Sequence, residues 1–285
     1  MFWVVGALVP GLAVQTWFFG TDVVVRAIVA VGMALLAEAT CLRLRQRPLQ
    51  RNLSDGSAVV TALLISAAVP PSASFYALGV AVVTAIGLGK HAYGGLGQNI
   101  FNPAMVGYAV ALVSLPAEFA NWPIDGTTGA TALDALKHND GLTTLELQQT
   151  PPFGTIGGWG WEWINVAFLA GGGLLALKQI IAWRVPLTFL GVFAVLAVIF
   201  DDGGSSQSLG GPLLHLTTGG IMLTAWFIAT DPVTHPARQR PQLIFAAIAA
   251  ATAFTIRAWG AYPDGLAFGI LLANAATPYI DRRFG

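Results

Sequence analysis

Ten apolar stretches, at residues 2–19, 23–42, 56–70, 74–89, 99–116, 162–181, 186–200, 216–230, 241–259 and 264–280, most limit what this chain can fold into. A helix crossing a bilayer takes about 20 residues. Ten crossings therefore use on the order of two thirds of the chain and leave only short loops between them. Several stretches are short or broken by Gly and Pro, as expected where neighbouring helices shield the backbone or a cavity interrupts it. Only 10% of the residues are charged and 55% are apolar, against roughly 25% charged in soluble domains. That excludes a water-soluble enzyme. Fourteen basic and fourteen acidic residues cancel, so there is no positive field for nucleic acid, and no nucleic-acid partner is expected. The single cysteine, Cys41, excludes an intrachain disulfide and any zinc or iron–sulfur cradle built from this chain alone. Redox chemistry here needs another cofactor.

Basic residues accumulate in cytoplasmic loops, which tests the count of crossings. With ten crossings, Arg43, Arg45, Arg47, Arg51, Lys90, Lys178, Arg184, Arg238, Arg240, Arg282 and Arg283 fall on one face, and only Arg26, Lys137 and Arg257 on the other. Both termini are then cytoplasmic, and the long loop from Ala117 to Trp161 is external. The first stretch has no basic residue before it and no Ala-x-Ala-like site after it, so it reads as a mature helix rather than a removed secretory signal. Residues 1–116 form a first five-helix unit, 117–161 the external loop and 162–285 a second five-helix unit. The units carry weak self-similarity. Thr61–Pro70 matches Thr224–Pro232 with one residue of slip, and Ala92-Tyr-Gly-Gly-Leu96 with Asn102 echoes Ala261-Tyr-Pro-Asp-Gly-Leu266 with Asn274. Five is odd, so such repeats enter the membrane from opposite sides and are inverted, an arrangement that places sites at the repeat interface.

Two segments carry candidate chemistry. The external loop contains Asp125-Gly-Thr-Thr128-Gly129-Ala130-Thr131-Ala-Leu-Asp134, a polar turn that exposes hydroxyls. Thr131 followed three residues later by Asp134 also fits a helix N-cap. The second segment runs from Lys90 through four glycines to Asn99-Ile-Phe-Asn102-Pro-Ala-Met105. Asn99 and Asn102 share one face if the helix already includes them. Amides there can cap and glue helices, or meet the donors and acceptors of a flavin edge. Of the ionisable residues within apolar stretches, Glu38 either helps bind a cation or pairs with Arg43, Asp231 either caps a helix end or lines a cavity, and Asp264 is a third candidate. His91, His138, His215 and His235 show no paired spacing for haem or metal. Trp159, Trp161 and Trp163 read as an interfacial aromatic belt.

The loop pattern Asp125-x-x-Thr128-Gly129-Ala130-Thr131 resembles the flavinylation sequence of the Rnf and sodium-pumping quinone reductase families. The second segment is similar to the Gly-x-Asn-x-x-Asn-Pro-Ala run of the Rnf D subunits and of their relatives, the quinone reductase B subunits. Pro10–Gly20, Phe227–Thr234 and Tyr262–Phe268 also fit, so the likeness covers nearly the whole chain. It implies FMN joined to Thr131 through a phosphoester, with Asp125 read by the flavin transferase that attaches it. It implies unattached riboflavin at Asn99 and Asn102. It further implies an all-α membrane fold like that of urea and ammonium channels, in a bacterial inner membrane, with the FMN loop periplasmic. The expected activity is that of one subunit, not catalytic alone, of a ferredoxin:NAD oxidoreductase that moves sodium or protons. Its partners would be iron–sulfur and flavin subunits, and membrane lipid. The alternative is a non-redox channel or transporter for a small solute such as urea.

Overall fold

The computed structural model describes residues 1–124, 127–139, 141–262 and 264–284, with the side chains of Arg51, Ile124 and Thr127 outside that description. Each of the ten apolar stretches contains helix. In chain order the helices are α1 (Phe2–Phe19), α2 (Asp22–Leu44), α3 (Leu49–Leu53), α4 (Ser57–Ala68), α5 (Phe75–Thr84), α6 (Pro103–Ser114), α7 (Pro116–Phe119), α8 (Ala132–Lys137), α9 (Thr144–Leu147), α10 (Trp161–Leu177), α11 (Arg184–Ile199), α12 (Pro212–Thr217), α13 (Ile221–Leu223), α14 (Gln239–Trp259) and α15 (Leu266–Phe284). A short antiparallel hairpin, β1 (Trp122–Ile124) with β2 (Thr127–Gly129), precedes α8.

Four helical segments are long and apolar enough to cross a membrane among the described residues: Phe2–Phe19, Asp22–Leu44, Phe75–Tyr93 and Gln239–Trp259. α4 and α6 have 12 residues each, a reach of about 18 Å at 1.5 Å per residue, well short of a hydrocarbon core about 30 Å thick. They are half-length helices. Two further helices are broken by wide turns. α5 runs on through a π-helical segment, Ala85–Lys90, and α13 through another, Thr224–Ile228. Such turns concentrate at functional positions.

Small residues let these helices approach closely, the usual device where lipid supplies no hydrophobic drive. A Cβ on Gly171 of α10 would lie 2.0 Å from the Ala7 carbonyl oxygen of α1, and one on Gly107 of α6 would lie 2.0 Å from the Ala81 carbonyl oxygen of α5. The two halves interlock: α1 packs on α10 and α6 on α15, and one continuous apolar core draws residues from both. Large apolar side chains such as Trp17, Ile28, Leu36, Leu177 and Val198 point outward, as a lipid-facing surface requires. The aromatic belt is only partly so: Trp163 is exposed, but Trp161 is buried and packs edge-on to Trp122, and Trp159 meets Phe18 edge-to-face.

Local structure differs between the matched repeat segments. Thr61 sits inside regular α4 whereas Thr224 opens a π-helical turn, and Asn102 precedes a helix whereas Asn274 lies inside one.

Candidate cofactor sites

Two cavities occupy opposite ends of the same elements. The first is lined by the apolar side chains of Met105, Phe119, Trp122, Trp161 and Leu266, together with Tyr108, Thr131, Tyr262 and Asp264. Thr131 follows β2 and caps α8. Its backbone is extended (φ −71°, ψ 162°), and its Oγ1 accepts the Asp134 N–H at 3.3 Å. The capping pattern legible in the sequence is therefore real, and the same half-buried residue lines the cavity. Thr128 is exposed, Gly129 ends the hairpin and Ala130 links it to Thr131; Asp125 lies outside the described residues. Lys137 fastens α8 in place by donating to the carbonyls of Tyr262 at 2.6 Å and Ile256 at 3.1 Å. Burial pushes the Lys137 ammonium pKa down, and Asp134 and Asp264 oppose that shift. Asp264 is paired with Arg257 at 3.0 Å, so it is no free cation ligand.

The second cavity gathers Asn99, Asn102 and Asp231, three residues singled out separately in the sequence. Asn99 and Asn102 do not share a helical face, because α6 starts only at Pro103. Proline is favoured at that first helical position and cannot be preceded by helix easily. Asn102 is instead the N-cap: its Oδ1 accepts the Met105 N–H at 3.2 Å, and its Nδ2 donates to Asp231 Oδ2 at 3.1 Å. Asp231 also accepts the Val233 N–H at 3.1 Å and the Thr234 hydroxyl at 3.3 Å, so it both caps a turn and lines the cavity. Asn99 donates from Nδ2 to the Phe101 carbonyl at 3.1 Å, and its buried Oδ1 has no partner.

Sequence reasoning missed two residues here. Trp226, on the second π-helical segment, lines the cavity with an indole N–H that is buried and unpartnered. Lys90, counted in the sequence as a loop charge, is 2% exposed. Its Nζ donates to Glu38 Oε1 and to Ser57 Oγ, each at 2.7 Å. Glu38 thus pairs with Lys90, with His91 Nε2 3.1 Å from the same oxygen, and not with Arg43. The geometry follows from the chain: Gly89 lets the Lys90 segment press on α6, where a Cβ would lie 2.8 Å from Pro103 Cα. The Gly94, Gly95 and Gly97 backbones, all at positive φ, fold the connection back to Asn99.

Neighbouring residues of α4, α6 and the second π-helical segment serve both cavities. Leu64, Ala104 and Phe227 wall the second, while Ala67, Met105 and Ile228 wall the first. The two cavities therefore share the walls of the same short helical stretches.

The sequence family described as NQR2, RnfD, RnfE matches residues 1–284. The chain belongs to that family. Among its relatives, the D subunit of the ion-translocating oxidoreductase complex of Cellvibrio japonicus is 42% identical over 311 residues, covering 99% of this chain and 87% of the relative. The protein of the same name from Pseudomonas paraeruginosa is 45% identical over 300 residues, covering 98% and 87%. That of Vibrio atlanticus is 39% identical over 322 residues, covering 99% and 91%. As a member of this membrane family, the chain is mostly helical.

Proposed function

We propose that this chain is the membrane subunit of an ion-translocating, Rnf-type ferredoxin:NAD oxidoreductase, and that it passes electrons between FMN held on Thr131 and riboflavin in the second cavity. One observation carries the reading: two largely apolar cavities draw on the same helices, one lined by the threonine of the flavinylation pattern, the other by an asparagine and a tryptophan that each carry a buried, unpartnered polar atom. A flavin ring offers an N–H between two carbonyl oxygens, which complements Asn99 Oδ1 and the Trp226 indole N–H. Apolar clefts with a few convergent polar groups are typical of cofactor sites. The flavins supply the electron-carrying chemistry. The chain fixes where they sit: Thr131 anchors one by its phosphate, Asn99 and Trp226 orient the other, and Asn102 with Asp231 holds the wall against which it lies.

The arginine-rich end carries the second cavity, which is then cytoplasmic, and Thr131 is on the opposite, periplasmic side. Ten crossings in two inverted halves are supported by where matched residues fall. Thr61 and Leu96 line the second cavity, while their counterparts Thr224 and Leu266 line the first. Halves related by a rotation in the membrane plane produce that exchange of ends. Iron–sulfur and flavin subunits complete the complex, the flavin transferase matures it, and sodium or protons are the cargo.

The intact subunit, expressed with the flavin transferase, should have the mass of the chain plus one FMN and fluoresce in a denaturing gel. Thr131→Ala should be dark. Loss of the cap costs about 1 kcal/mol, too little to unfold the subunit, so darkness reports attachment. A wild-type subunit of bare mass would refute the reading and leave the solute channel as the better one.

A further inference from the structure

The Glu38–Lys90 pair takes no part in anchoring or orienting either cofactor, yet it is the most buried ion pair of the described residues, with side chains each 2% exposed. It also stands between two spaces. Lys90 and Ser57 line the second cavity. Glu38, His91 and Asp55 line a separate polar vestibule at the arginine-rich end, with Arg45, Arg47 and Tyr93. The hydrogen bonds run without a gap: Asp55 Oδ1 accepts from Ser57 Oγ at 2.5 Å, Ser57 Oγ accepts from Lys90 Nζ, and Lys90 Nζ donates to Glu38 Oε1. Glu38 Oε2 is buried with no partner, so this carboxylate has an acceptor site to spare.

A buried pair of this kind is weak evidence for stability, because an apolar pair of similar volume would serve as well or better. A cofactor that gains electrons in a low-dielectric cavity needs protons to balance them, and a lysine at the cavity wall with a carboxylate behind it is suited to deliver them. We propose that Glu38 and Lys90 form a proton port between the vestibule and the second cavity. The inference rests on that cavity holding a flavin.

The step is balanced by one proton. Lys90 gives an N–H proton to the cofactor as electrons arrive from the first cavity, Glu38 takes a proton from vestibule water, and that proton passes to the Lys90 amine. No electron resides on the chain. The groups facing the pair are Cys41 on α2, Arg45 just past its C-terminus, His91 beside Lys90, Asp55 through Ser57, and Asp231 across the cavity. His91 is held by Arg45, whose Nη1 lies 3.3 Å from His91 Nδ1.

The test uses the whole purified complex and two readouts: riboflavin released by acid without proteolysis and resolved from FMN by chromatography, which is the flavin meant below, and the pH profile of the rate at which that riboflavin is reduced in a single turnover. Glu38→Gln, and the double variant Glu38→Gln with Lys90→Met that leaves no unpaired charge, should retain the flavin. Their reduction rate should fall by about 100-fold or more, with a flattened pH profile. In Glu38→Ala, added formate should restore most of the lost rate while leaving wild type unchanged. Wild-type rates and profile in the flavin-loaded variants would overturn the port, as would loss of flavin from them, which would make the pair part of the cavity wall only. A wild-type complex that releases no flavin would fail the second-cavity reading itself. That result is read before any variant is made.

Discussion

Alanine at Asn99 and at Asn102 should have opposite signatures, because the two amides are committed differently. Asn102 makes the α6 N-cap and donates to Asp231. Losing the cap costs about 1 kcal/mol, and losing a hydrogen bond to a carboxylate costs about 1.5–3 kcal/mol, so Asn102→Ala should destabilise the subunit by about 2.5–4 kcal/mol. Asn99→Ala removes one neutral hydrogen bond, to the Phe101 carbonyl, worth about 1 kcal/mol, but it also removes a buried acceptor whose unsatisfied burial costs about 1–3 kcal/mol. Its net effect on the unliganded fold should be near zero. If Asn99 Oδ1 receives a flavin N–H, the same substitution removes about 1 kcal/mol of binding, roughly five-fold in affinity. The assay is thermal unfolding of the solubilised complex at a fixed scan rate, since large membrane assemblies unfold irreversibly, together with acid-released flavin per complex. Asn102→Ala should lower the midpoint clearly. Asn99→Ala should leave it in place while losing flavin on dilution. Equal drops in midpoint, with flavin retained in Asn99→Ala, would refute both the assignment of Asn99 as the free amide and its role toward the cofactor.

Two more outcomes follow from the fold. Gly107→Val should fail to assemble or lose several degrees of thermal midpoint, because a Cβ there lies 2.0 Å from the Ala81 carbonyl oxygen and α5 and α6 must separate; overpacking of this kind costs about 1–3 kcal/mol or more, and an unchanged midpoint would contradict the close approach. In the 117–161 loop, the backbone N–H and then the hydroxyl of Thr143 hold the Glu146 carboxyl below its ordinary pKa. That contribution is complete above the unfolded carboxyl's pKa and is lost as pH falls through the lowered folded value. Hydrogen exchange in the 143–147 turn should therefore accelerate below about pH 4, and Glu146→Gln should remove that acid response.

What the sequence made legible was mostly what hydrophobicity and local caps decide. Apolar runs located every long helix, since burying or lipidating twenty apolar residues leaves the backbone no other way to satisfy itself. The Thr131 cap was legible because its partner is three residues away. Partners far along the chain were not. Glu38 reaches Lys90 over 52 residues, and nothing near Glu38 distinguishes that contact from one with Arg43. Lys90 was misread as a loop charge for the same reason: ending an apolar run looks like leaving the membrane, whereas a π-helical turn carries the residue inward. Without Lys90, the expected topology still assigns ten basic residues to one side against three to the other, so the charge bias does not depend on it. Trp226 was invisible as a site residue because its neighbours Ala225, Phe227 and Ile228 are all apolar and only the widened turn gives its indole N–H a cavity to face.

Interrupting helices within a membrane has a physical condition attached: every freed N–H and carbonyl must be met from a neighbouring element. Amides inside apolar helices meet that condition here. Asn165 of α10 spans the break before α13, donating to the Gly219 carbonyl at 2.9 Å and accepting the Met222 N–H at 3.1 Å. Asn274 of α15 accepts the Asn102 N–H at 2.9 Å and donates to the Thr234 carbonyl at 3.2 Å, tying the start of α6 to the turn after Asp231. Both amides are fully enclosed, at 2% and 0% exposure. The breaks they satisfy adjoin the two cavities, so asparagines lodged mid-helix and lining neither of those cavities are what hold their walls together. An asparagine in an otherwise apolar helix thus points less to its own chemistry than to a gap in the helix beside it.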